Sequence, residues 1–345
     1  MDAFFVACEC LENPPLAGKP VVVGADPKDG SGRGVVSTCS YEARAFGIRS
    51  AMPISRAHQL CPDAIFLPVN GPLYGRTSQH VFALLAHYAT KIEQTSIDEA
   101  FFIADIKDYE QAKALAERIK AAMKEQLNLT CSIGIGPNKS IAKIASDITK
   151  PDGLTIVKPE GAKSFLAPLP VRKLQGIGPK TEQLLNGVGI ITVGQLASSD
   201  AKQLADLFGK WGPYLQALAQ GRGDETLCDE QACRSVSREC TFEQDTSDRA
   251  MLDRTLDELT NELFAVVSGE RLAFQCITIK VRYAGFETHT KQATLRAPTA
   301  DKDVLVRTAR ELLSSFLGPK KIRLIGLRLS RFSSQRQESV KRFAR

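Results

Sequence analysis

The stretch TSIDEAFFI, residues 95–103, places two neighbouring acids, Asp98 and Glu99, among apolar residues typical of a β-strand. Adjacent carboxylates repel each other and are costly to bury, so the pair needs a positive partner. In a straight strand the two side chains would point to opposite faces, so both can serve one site only near a strand end or tight turn. There they could bind Mg²⁺, which takes one or two carboxylates together with substrate phosphates. An exposed turn with two acids is the alternative.

Helix and strand patterns surround this pair. Residues 79–92 and 109–127 have apolar side chains at helical spacing, and LTCSIGIG (129–136) predicts a strand. NKSIAKIASDIT (138–149) predicts a helix that Asn138 caps. Strands and helices that alternate in this way predict a sheet covered on one face by helices.

Two further segments carry groups that could hold a triphosphate. TCSYEARAFGIRSAMP, residues 38–53, puts Tyr41 and Arg44 one helical turn apart beside Thr38. A hydroxyl, a phenol and a guanidinium together suit phosphate oxygens, although a helix start with a surface arginine would look the same. Residues 138–153 add three lysines. One of them, Lys150, precedes a proline that must end the helix, which would leave it free to reach a phosphate.

The C-terminal third is basic, which suggests a polyanionic partner such as nucleic acid, or simply a solvated charged face. An acidic, aperiodic stretch, 223–232, predicts a linker. After it, a helix, two strands, a helix and a strand predict a small α+β domain. Lys280 and Arg282 share one face of a strand, and Lys291 and Arg296 lie on the next strand. Strand-borne cations can follow a phosphate backbone, and a half-exposed sheet face is the alternative.

The composition is that of an ordinary globular protein, with 43% hydrophobic and 24% charged residues in 345. No window of about 18 apolar residues predicts a membrane span, and the first residues do not resemble a secretory signal. The nine cysteines form no paired framework, so we expect reduced thiols and a cytoplasmic monomer.

Three motifs together resemble those of the Y-family DNA polymerases, most closely the DNA polymerase IV (DinB) branch. They are SIDEA (96–100), YEARAFGIRSAMP (41–53) and CSIGIGPNKSIAKIASDITKPDG (131–153). The resemblance covers nearly the whole chain in order. It implies an α+β, multidomain, right-hand polymerase with a ferredoxin-like palm, small fingers, a helical thumb and an α+β little finger. The expected domains are fingers 4–69, palm 1–3 and 70–157, thumb 158–222, linker 223–232, little finger 233–331 and a tail 332–345.

The resemblance also implies roles for single residues. Asp98 is expected to bind metal, and Glu99 to lie beside the primer 3′ end and the catalytic metal, with two Mg²⁺ ions in the site. Tyr41, Arg44 and Lys150 are expected to clamp the triphosphate, with Thr38 close by. Phe4 and Phe5 match an early aromatic pair, and Phe5 falls where a ring excludes a ribose 2′-hydroxyl. Core packing is the alternative for both rings.

The thumb and the tail supply further binding motifs. LQGIGPKTEQLL, residues 174–185, predicts a helix-hairpin-helix in which Gly176, Gly178 and Lys180 approach a DNA phosphate. Glycines that only end helices are the alternative. The tail QESVKRFA resembles a sliding-clamp-binding peptide through Gln337, Val340 and Phe343, although Ala344 replaces the second aromatic. A disordered basic tail is the alternative.

The start of the chain departs from the family pattern. The family's first motif has two acids before its aromatic pair, and Asp2 aligns with the second. The first acid, which bridges both metals, would lie one residue before Met1. We therefore expect little polymerase activity from the chain as it stands. We also expect a misplaced start codon, preceded by an apolar run that ends in Asp.

These patterns indicate a low-fidelity, template-directed translesion DNA polymerase that joins deoxynucleotides to a primer 3′ end. Two alternatives stay open. One is a non-catalytic, DNA-binding or clamp-associated variant of the same fold. The other is a helix-hairpin-helix nuclease, which would leave the triphosphate-binding residues without a role.

Overall fold

The computed structural model describes residues 1–228 and 233–334, and the chain forms two compact units. The first unit comprises residues 1–30 and 35–230, and the second comprises residues 31–34 and 231–345. Within the described ranges, no helix is both long enough and apolar enough to cross a membrane. The α+β class expected from the sequence is confirmed, while the finer domain boundaries stay a prediction.

A small three-stranded sheet occupies the beginning of the first unit. Its elements are α1 (Phe4–Glu12), β1 (Val21–Gly24), β2 (Val36–Cys39), α2 (Tyr41–Ala45), α3 (Ile54–Leu60) and β3 (Ile65–Leu67). Strand β1 pairs antiparallel with β2 and parallel with β3. All four residues of β1 are buried, because one face contacts α2 and α3 and the other contacts α1 and the helices that follow.

Helices and short strands alternate in the next part of the first unit. They are α4 (Gly71–Ala86), β4 (Lys91–Gln94), β5 (Ala100–Ile103), α5 (Tyr109–Leu127), β6 (Ile133–Ile135), α6 (Lys139–Ile148) and β7 (Leu154–Ile156). Helix α5 has the predicted bounds, and the side chain of Asn138 caps α6 by accepting a hydrogen bond from Ile141 N at 3.1 Å. The helical pattern at 79–92 was placed too late, since α4 ends at Ala86.

The strands of this region form two separate pairs instead of the single sheet that we expected. Strand β4 pairs antiparallel with β5, and β6 pairs parallel with β7. The prediction that TSIDEAFFI is strand throughout is wrong, because only Ala100–Ile103 is strand and residues 95–99 form the turn. The apolar side chains of both pairs pack against α1, α4 and α5.

A helical region completes the first unit. Its helices are α7 (Ala162–Leu166), α8 (Pro179–Gly187), α9 (Val193–Ser198), α10 (Ala201–Phe208) and α11 (Trp211–Ala219). Their apolar sides share one core with the inner face of α6. The helical, glycine-punctuated character predicted for 158–222 is confirmed.

The second unit contains a five-stranded sheet covered by two helices. Its elements are β8 (Ser235–Thr246), α12 (Arg249–Gly269), β9 (Leu272–Tyr283), β10 (Thr288–Thr299), α13 (Lys302–Ser314), β11 (Ile322–Ser330) and β12 (Ser333–Ser334). The order β10-β9-β11-β8 is antiparallel throughout, and β12 pairs with β9. Sequence reasoning missed β8, because this strand is largely exposed and lacks the alternation of apolar and polar residues that marks a half-buried strand.

Candidate functional site

The two acids lie in the turn that joins β4 to β5. Backbone hydrogen bonds from Thr95 N and Ser96 N to Glu99 O, at 3.0 and 3.2 Å, close this turn. Ser96 Oγ donates to Asp98 Oδ1 at 2.9 Å, which orients the Asp98 carboxylate. A tight turn frees the acids from the alternation of a straight strand, which was the condition for both to serve one site.

The positive partner of Glu99 is Lys143, on the exposed side of α6. Lys143 Nζ donates to Glu99 Oε1 and also lies 3.6 Å from Asp147 Oδ2 one helical turn later. Lys150 Nζ lies 3.0 Å from the other Asp147 oxygen. Burial raises the pKa of Asp147, but Lys150 and Lys143 lower it more, so its pKa falls below the ordinary value. Alternating charges therefore connect the hairpin acid to the end of α6.

The Lys150 side chain lies at the helix end, as the sequence predicted. Its ammonium is not free, however, because it is paired with Asp147, and its side chain is 23% exposed. A phosphate at this position would share the lysine with Asp147.

Tyr41 and Arg44 meet on α2, whose first turn Ser40 caps through a hydrogen bond from Ala43 N at 3.1 Å. The Arg44 guanidinium carbon lies 4.4 Å from the centre of the Tyr41 ring, and Thr38 lies half-buried in the preceding strand. The buried phenol oxygen of Tyr41 has no hydrogen-bond partner among the described residues. An unsatisfied buried hydroxyl costs about 1–3 kcal/mol, so this one is suited to bind a ligand atom.

The electrostatics of Tyr41 connect α2 with the charges on α6. Burial is the largest cause that raises the pKa of Tyr41, and the Asp2 and Asp147 carboxylates raise it further, while Arg44 partly offsets them. Asp147 is also the residue that pairs with Lys143 and Lys150. The fold thus brings the predicted phosphate-binding residues towards the same end of α6 as the hairpin acids.

Asp2 is buried, and both oxygens of its carboxylate are engaged. Oδ1 accepts from Ser132 Oγ at 2.8 Å, and Oδ2 accepts from the Asp152 backbone N–H at 2.9 Å. The side chain therefore ties the chain start to the β6–β7 pair. The expectation that Asp2 is not the main metal ligand stays a prediction.

The aromatic pair divides between two environments. Phe4 is 3% exposed and belongs to the core, so core packing describes it. Phe5 is half-buried, and its ring stacks on Tyr74 with centroids 4.2 Å apart and an angle of 10° between the planes. Tyr74 Oη donates to Glu9 Oε1 at 2.6 Å, which holds the ring beneath Phe5 in place. The Phe5 ring is therefore held firmly on one side.

A cavity of about 380 Å³ is lined at one end by the acids and lysines of this site. Its other walls are apolar side chains of α4 and α5 and the strands β5 and β6, which do not pair with each other. The amino group of Met1 donates to Asp98 O at 2.8 Å beside it. The polar end of the cavity therefore contains the two hairpin acids that the sequence predicted to bind metal.

The donor set at the hairpin fits a divalent metal that also binds a substrate. Within residues 1–228 and 233–334, no cluster of three or more His, Cys, Asp or Glu side chains could hold a metal by itself. Mg²⁺ commonly uses only one or two carboxylates and takes its other ligands from water and phosphates. Asp98 and Glu99 supply two such carboxylates next to groups that suit phosphates.

The glycine-rich turn before α8 leaves backbone donors uncapped. Gly176 has a φ of +87°, and Gly178 begins α8 without a side-chain cap. Pro179 has no N–H, so the first backbone donor of the helix is the N–H of Lys180. The Lys180 side chain is exposed. Such a helix start suits a phosphate.

The cations of the second unit divide between the faces of its sheet. Lys280 and Arg282 lie on the face opposite the buried Ile279 and Val281, as predicted. Lys280 Nζ is 2.8 Å from Glu239 Oε1, and the ion pair crosses Gly326, where a side chain would collide with Glu239.

The cations of the neighbouring strand are placed differently. Lys291 pairs with Ile279 and is therefore on the helix-covered side of edge strand β10, not beside Lys280. Arg296 lies in the same strand, where the register shifts between Thr294 and Thr299. Gln337, Val340 and Phe343 of the suggested clamp-binding peptide lie outside the described residues.

Sequence reasoning missed three contributors to these surfaces. Asp147 holds Lys143 and Lys150, Tyr74 supports Phe5, and Arg328 lies opposite Thr278 on the exposed face of the sheet. The lysine and aspartate spacing of α6 could have revealed Asp147, since residues four apart meet on a helix. No sequence signal pointed to Tyr74.

The chain is similar to known proteins over nearly its whole length. The profile of the impB/mucB/samB family matches residues 1–147, the C-terminal domain of that family matches 234–341, and the IMS family HHH motif matches 159–190. A DNA polymerase IV of Methanoculleus marisnigri is 47% identical over 346 residues, covering 99% of this chain and 96% of that protein. DNA polymerase IV 2 of Methanosarcina mazei is 46% identical over 329 residues, covering 95% and 89%.

Solved structures give the same result. A Y-family DNA polymerase chimera, Dbh-Dpo4(243-245)-Dbh, superposes with a TM-score of 0.88 at 31% identity, covering 97% of this chain and 98% of that chain. DinB from Sulfolobus solfataricus superposes with a TM-score of 0.63 at 31% identity, covering 95% and 96%. The chain therefore belongs to the Y-family DNA polymerases, in the DNA polymerase IV (DinB) branch.

Proposed function

We propose that the β4–β5 turn, with the lysines of α6 and the polar residues of α2, forms the nucleotidyl-transfer site of a translesion DNA polymerase. The observation that carries this proposal is a run of contacting, alternating charges, which consists of Glu99, Lys143, Asp147 and Lys150. The Asp147 carboxylate also raises the pKa of Tyr41. A DNA polymerase joins a deoxynucleotide to a primer 3′ end and releases pyrophosphate. Such a reaction needs carboxylates and phosphate-binding groups side by side.

Asp98 and Glu99 are the proposed metal ligands. The family depends on divalent metal ions, and we propose Mg²⁺ with two ions in the site. When bound, the ions would stabilise charge on the attacking and leaving oxygens of the displacement. Glu99 would have to exchange its bond with Lys143 for that role, while Lys143 stays close enough to compensate the remaining negative charge.

Tyr41, Arg44 and Lys150 would hold the triphosphate, with Thr38 beside them. The unsatisfied Tyr41 hydroxyl can donate to a phosphate oxygen, and the Arg44 guanidinium can make charge-assisted hydrogen bonds. Lys150 would approach from the end of α6, where Asp147 already orients it. Each of these groups binds and orients the nucleotide before the chemical step.

Phe5 would discriminate deoxyribose from ribose. Its ring cannot retreat easily, because Tyr74 stacks on it and Glu9 fixes Tyr74. A ring held against the C2′ side of a sugar leaves no space for the extra hydroxyl. Phe4 supports the fold only, since it is buried in the core.

DNA binding is proposed at two places. The Gly176–Gly178 turn and Lys180 would hold a backbone phosphate at the start of α8. Lys280, Arg282 and Arg296 would follow the backbone along the second unit, with Lys291 near the edge of its sheet. Neither contact reads base sequence, which suits an enzyme that must copy any template.

Some finer expectations stay proposals. A sliding clamp as partner depends on the tail peptide. A monomer is the simplest state, because all the proposed site residues belong to one chain. The cytoplasmic location is supported by nine cysteines that are all unpaired. The non-catalytic alternative would not need the alternating charges at the hairpin.

Primer extension with Asp98→Ala tests the site. The matched control is Asp105→Ala, which removes an exposed acid from the loop after β5. We expect a loss of about 100-fold or more for the first substitution and no change for the second, because losing a metal ligand removes several kcal/mol of charge stabilisation. Both substituted proteins are compared with the unsubstituted chain in the same assay. Where the unsubstituted chain extends the primer, equal extension by the Asp98→Ala and Asp105→Ala proteins would reject the assignment.

A second readout does not require activity. Mn²⁺ binding in the presence of a deoxynucleoside triphosphate can be followed by electron paramagnetic resonance. The Asp98→Ala protein should bind Mn²⁺ more weakly than the Asp105→Ala protein. Equal binding would locate the metal elsewhere.

A further inference from the structure

We propose that Asp147 couples metal binding at the hairpin to nucleotide binding at the end of α6, by exchanging one lysine for another. In the structure, Glu99 pairs with Lys143 and Asp147 pairs with Lys150. When Glu99 turns to a divalent cation, Lys143 passes to Asp147, and Lys150 becomes free to bind a phosphate. Asp147 is thus a positioning residue. The inference rests on the proposed function, which places the metal at Glu99 and the triphosphate at Lys150.

The positions of these residues along α6 make the exchange possible. Lys143 and Asp147 lie one turn apart on the helix, and Lys150 follows just beyond its end. The two oxygens of the Asp147 carboxylate face different lysines. Oδ1 lies 3.0 Å from Lys150 Nζ, which is a hydrogen-bond distance, and Oδ2 lies 3.6 Å from Lys143 Nζ, which is slightly too long for one. Lys143 therefore needs only a small side-chain rotation to pair with Asp147.

The charge balance of the run explains why its two ends respond together. Glu99, Lys143, Asp147 and Lys150 are two carboxylates and two ammonium groups, so the run is neutral. When Lys143 loses Glu99, Asp147 is the second carboxylate within its reach. When Lys150 turns to an anion, Asp147 loses its partner and draws Lys143 away from Glu99. Each ligand therefore favours the other, which is a reciprocal coupling through one shared residue.

The Asp147 carboxylate is charged at neutral pH, as the exchange requires. Burial raises its pKa, but Lys150, Lys143 and the nearby Lys173 lower it more, so the pKa falls below the ordinary value. The Asp147 side chain is 38% exposed, and the Lys143 side chain is 26% exposed. An ion pair that is neither fully buried nor fully solvated can hold a lysine and still release it.

Nucleotide binding in the absence of metal tests the exchange. The Kd of mant-labelled dATP is measured by fluorescence anisotropy in EDTA for the Glu99→Gln and Asp98→Asn proteins. Each substitution removes one negative charge from the same turn, but Glu99 is bonded to Lys143, whereas Asp98 accepts from Ser96. We expect the Kd to fall about fivefold to tenfold for Glu99→Gln and about twofold or less for Asp98→Asn. Equal Kd values for the two proteins would overturn the proposal.

The same comparison in an Asp147→Asn background isolates the shared residue. Lys150 has then already lost the partner that it must leave, so Glu99→Gln should change the Kd no more than Asp98→Asn does. Thermal unfolding shows whether each protein is folded. If Asp147→Asn does not fold, Lys143→Gln takes its place, because it removes the lysine that is exchanged and leads to the same expectation. An undiminished effect of Glu99→Gln in the background used contradicts the exchange.

Lys150→Ala separates failure of the exchange from failure of the proposed function. We expect this substitution to raise the Kd of labelled dATP about tenfold or more, because it removes a charged donor to the phosphates. Lys158→Ala, at an exposed position after β7, is the control. If Lys150→Ala and the control have the same Kd, Lys150 does not bind the triphosphate, and the exchange is rejected with that part of the proposed function.

The remaining outcome rejects the exchange alone. A Kd that rises for Lys150→Ala, together with equal Kd values for Glu99→Gln and Asp98→Asn, leaves Lys150 in the triphosphate site. Asp147 would then only neutralise its lysines, without coupling the two ends of the run.

Discussion

The hairpin site of the first unit and the open sheet of the second unit use charge in opposite ways. At the hairpin, Glu99, Lys143, Asp147 and Lys150 contact one another within a few ångströms, and each side chain fixes the next. On the sheet, Arg282 and Arg328 lie on separate strands, where Arg282 donates to the neutral Thr288 hydroxyl at 2.8 Å and Arg328 is exposed. The first arrangement suits chemistry, which needs fixed geometry, and the second suits a backbone contact that must tolerate any sequence.

This difference predicts how large the effect of substituting each residue should be. In a connected network, removal of one member leaves its partners with uncompensated charge, so the effects are large and non-additive. Cations spread over a strand surface contribute separate, salt-dependent increments. The four predictions below test this contrast from the largest effect to the smallest.

The largest expected effect is at α2, the helix proposed to bind the nucleotide. Arg44→Ala should raise the KM for deoxynucleotides about 10-fold to 100-fold, because a hydrogen bond to a charged group is worth roughly 1.5–3 kcal/mol. Arg56→Ala on α3 is the control, since that arginine is exposed and contacts only Gln59. Steady-state single-nucleotide incorporation measures both. If the two variants have the same KM, Arg44 does not bind the triphosphate, and the hairpin site loses its contrast with the sheet.

The next effect concerns the sugar. Phe5→Val should increase ribonucleotide incorporation relative to deoxynucleotides about tenfold, because placing an extra group in filled space costs roughly 1–3 kcal/mol. Incorporation of matched ribo- and deoxynucleotides gives the ratio. Phe4→Leu, a core substitution, should change stability and leave the ratio alone. A ratio that moves equally in both variants would assign discrimination to general packing and not to the Phe5 ring.

A smaller effect is expected on the sheet. Arg282→Ala and Arg328→Ala should each weaken DNA binding about threefold and lower the slope of log K against log salt by about 0.9. Arg310→Ala is the matched control, because Arg310 lies on α13 and pairs with Asp257 at 2.7 Å. Affinity titrations at several salt concentrations measure the slopes. Strongly non-additive losses in the double variant would mean that the sheet is a connected site after all.

The smallest effect concerns a structural ion pair. Glu93 contacts Lys139 at 3.0 Å and accepts from Cys228 N at 2.9 Å. Burial raises the pKa of Glu93, but these two partners lower it more, so its folded pKa is below the unfolded value. Its stabilisation is therefore complete above the unfolded pKa and disappears as the pH falls through the folded pKa.

Glu93→Gln should reduce the free energy of unfolding by about 1 kcal/mol at pH 7 and by less below about pH 4. Urea unfolding at both pH values measures the difference. Glu125→Gln, in the last turn of α5, is the control. A constant deficit at both pH values would show that lost packing, and not charge, causes the effect. That outcome would limit the contrast between networked and separate charges to the β4–β5 hairpin.

The sequence by itself determined the elements with strong local signals. The apolar spacing of residues 109–127 gave α5 with its observed bounds, and Asn138 marked the start of α6, because helical periodicity and capping act within a few residues. The motifs around Asp98, Tyr41 and Lys150 identified the family. Strand β8 escaped detection, because an exposed strand needs no apolar alternation.

Only the tertiary structure decided which charges meet. The pairing of Glu99 with Lys143 joins residues 44 positions apart, and the support of Phe5 by Tyr74 joins residues 69 apart. It also decided that the strands near the acids form two pairs, and that Trp211 covers Gly176. Contacts of this kind depend on how separate elements pack, and packing is a property of the whole fold that no local pattern records.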